Sequence, residues 1–121
     1  RLLEETGIDL CFDTGHHAFW NQDAVAYLNR VWSRIGYIHL KNVDPAVRQR
    51  VLDGELSIGA SYGAGVMCPL PDGAVNIPAV VAFIEAMEFT GPVVVEQDLA
   101  DNGESPLALA RRNLNFLREI A

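Results

Sequence analysis

Asp13, His16, His39, Lys41 and Glu96 are the side chains of this 121-residue chain whose types and positions suit chemistry, because each stands where a short apolar run stops. Leu10-Cys11-Phe12 leads into Asp13-Thr14-Gly15-His16, Ile35-Gly36-Tyr37-Ile38 into His39-Leu40-Lys41, and Val93-Val94-Val95 into Glu96. Parallel strands bring polar tips at their C-terminal ends into one wet mouth above a dry core. A carboxylate, an imidazole and a second carboxylate from three such tips make a mixed oxygen and nitrogen donor set, suited to Mn²⁺, Co²⁺, Zn²⁺ or Mg²⁺. Three protein ligands with an open position leave room for a substrate carbonyl or hydroxyl, so the expected site is catalytic rather than structural.

Each residue alone has a plainer use. Asp-Thr-Gly is a turn-like string in which Asp13 can simply cap. A lone His in an apolar run, as His39 is, commonly packs at a strand end, and Lys41 can leave the strand into solvent. His16 and His17 are adjacent and point different ways, which makes His16 the pocket candidate and His17 a packing or surface residue. Glu96 is the least ordinary of the set, since a carboxylate closing a buried run costs free energy unless it is paired, protonated or bound to a cation. Lys41 shares the strand face of His39 if the strand persists, which would turn its ammonium toward a substrate oxygen.

Periodicity supplies the elements that must position these groups. Arg1 to Gly7 reads as the last turn of a helix already under way, with a strand from Ile8, and hence as the start of a fragment. Asn21 to Ile35 has helical spacing with Asn21 or Asp23 as cap, and Gly36 to Leu40 is a second strand. Asp44-Pro45 opens a short helix to about Leu52. Glycines at 54, 59, 63, 65 and 73, with Pro69 and Pro71, mark Asp53 to Ala74 as one long loop. Asn76-Ile77-Pro78 opens a helix with Ile77, Val80, Val81, Ile84 and Met87 on one side, stopped by Thr90-Gly91-Pro92, and a strand Val93 to Gln97 follows. Ser105-Pro106 opens the last helix, whose apolar residues are Leu107, Leu109, Ala110, Leu114, Phe116 and Leu117. Strands that read as continuous apolar runs between helices predict an α/β fold with a parallel sheet. Three strands leave faces and edges of such a sheet unmanaged, so part of the fold is expected upstream or in a second chain.

Half of the residues are hydrophobic and 21% are charged, a globular balance with room for one core. Sixteen acidic against nine basic residues give a formal charge of −7, with no basic stripe interleaved with aromatics, which argues against nucleic acid as a partner. No apolar run approaches the about 20 residues that span a bilayer, and no signal peptide is legible, so a cytoplasmic location is expected. Cys11 and Cys68 have no zinc-type spacing and read as reduced thiols, Cys11 buried in its strand.

Phe12-Asp13-Thr14-Gly15-His16, Gly36-Tyr37-Ile38-His39-Leu40-Lys41-Asn42, Pro69-Leu70-Pro71-Asp72-Gly73 and Val94-Val95-Glu96-Gln97-Asp98, taken in order, resemble the xylose-isomerase-like TIM-barrel family. That family includes sugar isomerases, epimerases and endonucleases, and the strings most resemble its inosose dehydratase branch. The resemblance implies that residues 1–121 are a single partial domain, the C-terminal half of a (β/α)8 barrel contributing its last three strands. It implies Asp13, His39 and Glu96 as metal ligands, with the family's remaining ligand, a Glu on an earlier strand, unmatched here. It further implies Glu96 and His16 as catalytic residues, and His16 and Lys41 as substrate contacts. The implied reaction is divalent-metal-dependent dehydration of a cyclic keto-polyol in myo-inositol catabolism, by proton abstraction next to the carbonyl and loss of water, with Mn²⁺ or Co²⁺ foremost. Reprotonation in place of elimination would give a sugar isomerase or epimerase, and an inactive truncated barrel is the non-enzymatic alternative. Three histidines and an acidic balance suit the endonuclease branch less. The partners implied are a small keto-polyol or sugar, no nucleic acid and no membrane, with a homo-oligomer or a missing N-terminal half-barrel completing the wall.

Overall fold

The computed structural model describes residues 2–20 and 23–121. After a short helix α1 (Leu2–Glu5), strand β1 (Leu10–Asp13) runs directly into helix α2 (Thr14–Phe19). Helix α3 (Ala24–Val31) and a 3₁₀ turn (Trp32–Arg34) lead to β2 (Ile35–Leu40). A two-residue strand β3 (Asn42–Val43) precedes α4 (Pro45–Leu52) and α5 (Ile58–Gly63), and β4 (Met67–Cys68) is followed by a second 3₁₀ turn (Leu70–Asp72). Helix α6 (Ile77–Ala86), β5 (Val93–Val95) and α7 (Pro106–Ile120) complete the order.

Among the described residues β1, β2 and β5 form a parallel sheet in the order β1-β2-β5, with helices in both crossovers and the β3–β4 pair within the second. The register places Asp13 beside His39 and His39 beside Val94. Because strand side chains alternate, Val94 and Glu96 share a face, and Asp13, His39 and Glu96 therefore leave the sheet on one side. The opposite face carries Phe12, Ile38 and Leu40, which pack with Leu28 of α3 and Ile77, Val80 and Ile84 of α6 into the main core. This layering is the amphipathic solution for a parallel sheet: its apolar face is covered by the crossover helices. The other face is open. Cys11 is exposed, and Val94 keeps 40% of its surface.

Several sequence expectations shift. The first strand begins at Leu10 rather than Ile8, and the last ends at Val95 rather than Gln97. Thr14-Gly15, expected as part of a turn-like string, is the first turn of α2. The helix read over Asn21 to Ile35 spans Ala24–Val31; Asp23 is its cap, accepting from the Ala26 amide at 2.8 Å, while Asn21 lies outside the described residues. Cys11 is exposed because it alternates with buried Phe12 and so faces away from the helices. In α7, Leu107 and Leu114 are exposed while Asn113 is buried, since the face turned inward runs through Leu109 and Asn113.

The largest correction concerns Asp53 to Ala74. In place of one loop this segment holds α5, β4 and a 3₁₀ turn, and it buries Ser61, Val66, Met67 and Leu70. Ser57 caps α5 by accepting from the Ala60 amide, and β4 pairs antiparallel with β3. Glycines at the ends of short elements, such as Gly65 with φ +83°, end them without dissolving the packing between. Val43, Val66, Met67 and Phe19 form a second, smaller core under this segment.

Candidate active site

The three strand ends meet. Asp13, His39 and Glu96 each offer one ligand atom, and those atoms lie within 4.8 Å of one another. His39 Nδ1 is 2.5 Å from Glu96 Oε2 and 3.5 Å from Asp13 Oδ2. The fourth strand-end group, Lys41, is 1% exposed. Its Nζ donates to Glu96 Oε1 at 2.7 Å and to Asp98 Oδ2 at 2.9 Å, and stands 4.0 Å from Asp13 Oδ2.

Asp13 divides its two oxygens between two tasks. Oδ1 accepts the His16 amide at 2.8 Å and so caps α2, which is the plain role expected for an Asp before Thr-Gly. Oδ2 is turned into the cluster and is, among the described residues, a buried side-chain atom without a hydrogen-bond partner. A buried carboxylate oxygen left in that state is unfavourable unless a cation completes it. Together with the oxygen, nitrogen and oxygen donors converging on one point, this makes the residues fit a divalent metal.

Charge is balanced from below. Burial alone would depress Lys41, but its hydrogen bonds to Glu96 and Asp98 and the Asp13 charge outweigh that and raise it. The same hydrogen bond from Lys41 holds Glu96 below the ordinary carboxylate range, against partial burial that pushes the other way. Glu96 is thus an ionised carboxylate at neutral pH, and Lys41 an ammonium beneath it.

His16 sits at the mouth. Its side chain is half exposed, with Nδ1 3.7 Å from Asp13 Oδ2 and Nε2 3.4 Å from the Tyr62 hydroxyl. A largely apolar cavity of about 120 Å³ adjoins it, lined by His16, Phe19, Trp20, Ile58, Tyr62 and Met67. Tyr62 lies among the closely spaced glycines that predict a loop, and the cap-type residue Ser57 is the one local signal of its helix. His17 turns the other way and packs, its ring 5.1 Å from that of Phe12 and 4.5 Å from that of Tyr27. Cys68 is buried and its thiol is pushed up to about 12, chiefly by burial, which leaves it inert.

The chain is similar to proteins whose names bear on this arrangement. It is 31% identical over 122 residues to an inosose dehydratase of Geobacillus thermodenitrificans, covering 98% of this chain and 41% of that protein. It is 32% identical over 123 residues to the rhizopine catabolism protein MocC of Rhizobium meliloti, covering all of this chain and 38% of the relative. The chain thus spans about two fifths of the length of the curated relatives it matches. A crystal structure of the probable 3-DHS dehydratase AsbF involved in petrobactin synthesis, from Bacillus anthracis, superposes with a TM-score of 0.70 at 17% identity, over 96% of this chain and 40% of that one, and shares its fold. The parallel βα order seen here is part of that architecture, and the family model described as Xylose isomerase-like TIM barrel matches residues 1–120; the chain belongs to that family.

Proposed function

We propose that this chain carries the metal-binding and proton-transfer wall of a dehydratase acting on a cyclic keto-polyol such as an inosose. The observation that carries the reading is the convergence of Asp13, His39 and Glu96, with one Asp13 oxygen buried and unpartnered. It stands on a chain whose relatives are named inosose dehydratases. Asp13, His39 and Glu96 would hold a divalent cation, Mn²⁺ or Co²⁺ in this reading, whose chemistry when bound is polarisation of a ketone oxygen. Glu96, ionised, accepts the proton from the carbon next to the carbonyl. His16, at the open side of the cluster, contacts substrate and gives a proton to the departing hydroxyl, which leaves as water. Lys41 contacts a substrate oxygen in this reading only by releasing Glu96 or Asp98, so its first effect is exerted through those carboxylates.

The setting proposed is cytoplasmic inositol catabolism, with an N-terminal half-barrel or a second copy closing the open sheet face and adding the fourth ligand. Residues 1–121 act as one partial domain in this reading. Among the described residues no helix is long and apolar enough to cross a membrane.

Titration calorimetry with Mn²⁺ tests the site. Asp13→Ala, His39→Ala and Glu96→Ala should each weaken binding at least tenfold, and unchanged affinity in all three would sink it. Inosose with Mn²⁺ then tests the reaction through ultraviolet absorbance of the dehydrated diketone. Incorporation of solvent deuterium without that product would point to the isomerase or epimerase reading instead.

A further inference from the structure

Gly15 lies in the first turn of α2, where a helix gains nothing from glycine. A Cβ placed on it would stand 2.5 Å from Lys41 Cγ, 2.9 Å from Lys41 Cβ and 3.0 Å from Lys41 Cδ. These are the base and middle of the lysine stem, not its far end, so the side chain has little freedom to swing clear. The backbone of Lys41 is held as well. Thr14 Oγ1 accepts from the Lys41 amide at 2.9 Å and donates to the Lys41 carbonyl at 2.6 Å, and Thr14 is fully buried. The first turn of α2 therefore grips the exit of β2, and the stem crosses the one position without a side chain.

We propose that Gly15 and Lys41 form a positioning pair: the missing Cβ at residue 15 seats the lysine stem, and the ammonium so placed fixes the Glu96 and Asp98 carboxylates at the mouth of the cluster. The inference rests on the reading of that cluster as the functional site. Neither residue need touch substrate. Gly15 acts through Lys41, and Lys41 acts through Glu96 at 2.7 Å and Asp98 at 2.9 Å. The requirement is steric at one end and electrostatic at the other, so the two residues must be coupled.

A double-mutant cycle of Gly15→Ala, Lys41→Ala and the combined variant measures that coupling. In urea unfolding, Gly15→Ala should lower the midpoint in the wild-type background. With Cγ and Cδ removed by Lys41→Ala, the same change should lower the midpoint by less than half as much, because only the 2.9 Å approach to Lys41 Cβ remains. In Mn²⁺ calorimetry, Gly15→Ala and Lys41→Ala should shift Kd in the same direction by at least fivefold, and the combined variant should lie within twofold of Lys41→Ala. Equal effects of Gly15→Ala in both backgrounds, in urea or as Mn²⁺ shifts that multiply, would overturn the pair. Should Gly15→Ala fail to fold, folding of the combined variant supports the pair and its failure overturns it. Absence of Mn²⁺ binding in the wild type would end the metal reading, and the urea cycle alone then decides the pair.

Discussion

Asp13 shows how one carboxylate serves structure and site together. Its Oδ1 caps α2 and its Oδ2 faces His39, so the two tasks separate by substitution. Asparagine keeps a capping oxygen but removes the charge: Asp13→Asn should change stability by under about 0.5 kcal/mol while weakening Mn²⁺ binding at least tenfold. Asp13→Ala should lose the cap as well, at about 1 kcal/mol in urea unfolding. Equal stabilities of the two variants would mean that the cap contributes nothing. His17 gives a pH prediction of definite sign. Its pKa is lowered, first by burial against Phe12 and Tyr27, then by the Arg30 charge, with the Asp23 backbone and charge opposing. The unfolded chain therefore takes up a proton at higher pH than the fold does, and stability falls as pH drops below the ordinary value of 6.5. His17→Phe should flatten that part of the curve, read as urea midpoints at pH 7.5 and 5.5.

At the scale of elements, the segment from Asp53 to Ala74 is organised by a buried side chain outside it. Asn42 donates to the carbonyls of Leu70 at 2.7 Å and Val75 at 3.2 Å, and accepts from the amides of Val43 at 2.9 Å and Val75 at 2.8 Å. All of its polar capacity is used, at 1% exposure. Asn42→Leu would strand several buried backbone groups at about 1–3 kcal/mol each and should cost at least about 3 kcal/mol in urea unfolding. A loss under 1 kcal/mol would mean that water replaces the network. Asn113 repeats the device from α7, accepting from the Leu70 amide at 2.8 Å and donating to Gln97 Oε1 at 3.0 Å, so the last helix holds the chain just beyond Glu96. The caps expected at Asp23, Asp44, Asn76 and Ser105 each open a helix, whereas Ser57 caps α5 inside the segment expected to be a loop. What glycine content obscured was the packing of short elements, which depends on partners distant in sequence.

For the whole molecule, the two faces of the sheet differ in what covers them, and the cysteines report it. Cys11 lies on the open face, while Cys68 is buried with its thiol raised to about 12. A disulfide-exchange reagent at pH 8 should modify one thiol rapidly in the folded protein and the second only on unfolding; two rapid thiols would show that the second core is loose. The sequence by itself determined the succession of parallel strands and their main helices, the starts of α3, α4, α6 and α7, the family, and the three strand-end groups that could bind a cation. Those are properties of local spacing and capping, and each is encoded within a few neighbouring residues. Only the tertiary structure decided that Asp13 splits its oxygens, that Lys41 is buried beneath Glu96 and Asp98, and that Tyr62 reaches His16. It also decided that Gly15 makes room for a lysine 26 residues on. Those depend on strand register and on volume shared between elements far apart in the chain, and neither is written in the order of residues around any one position.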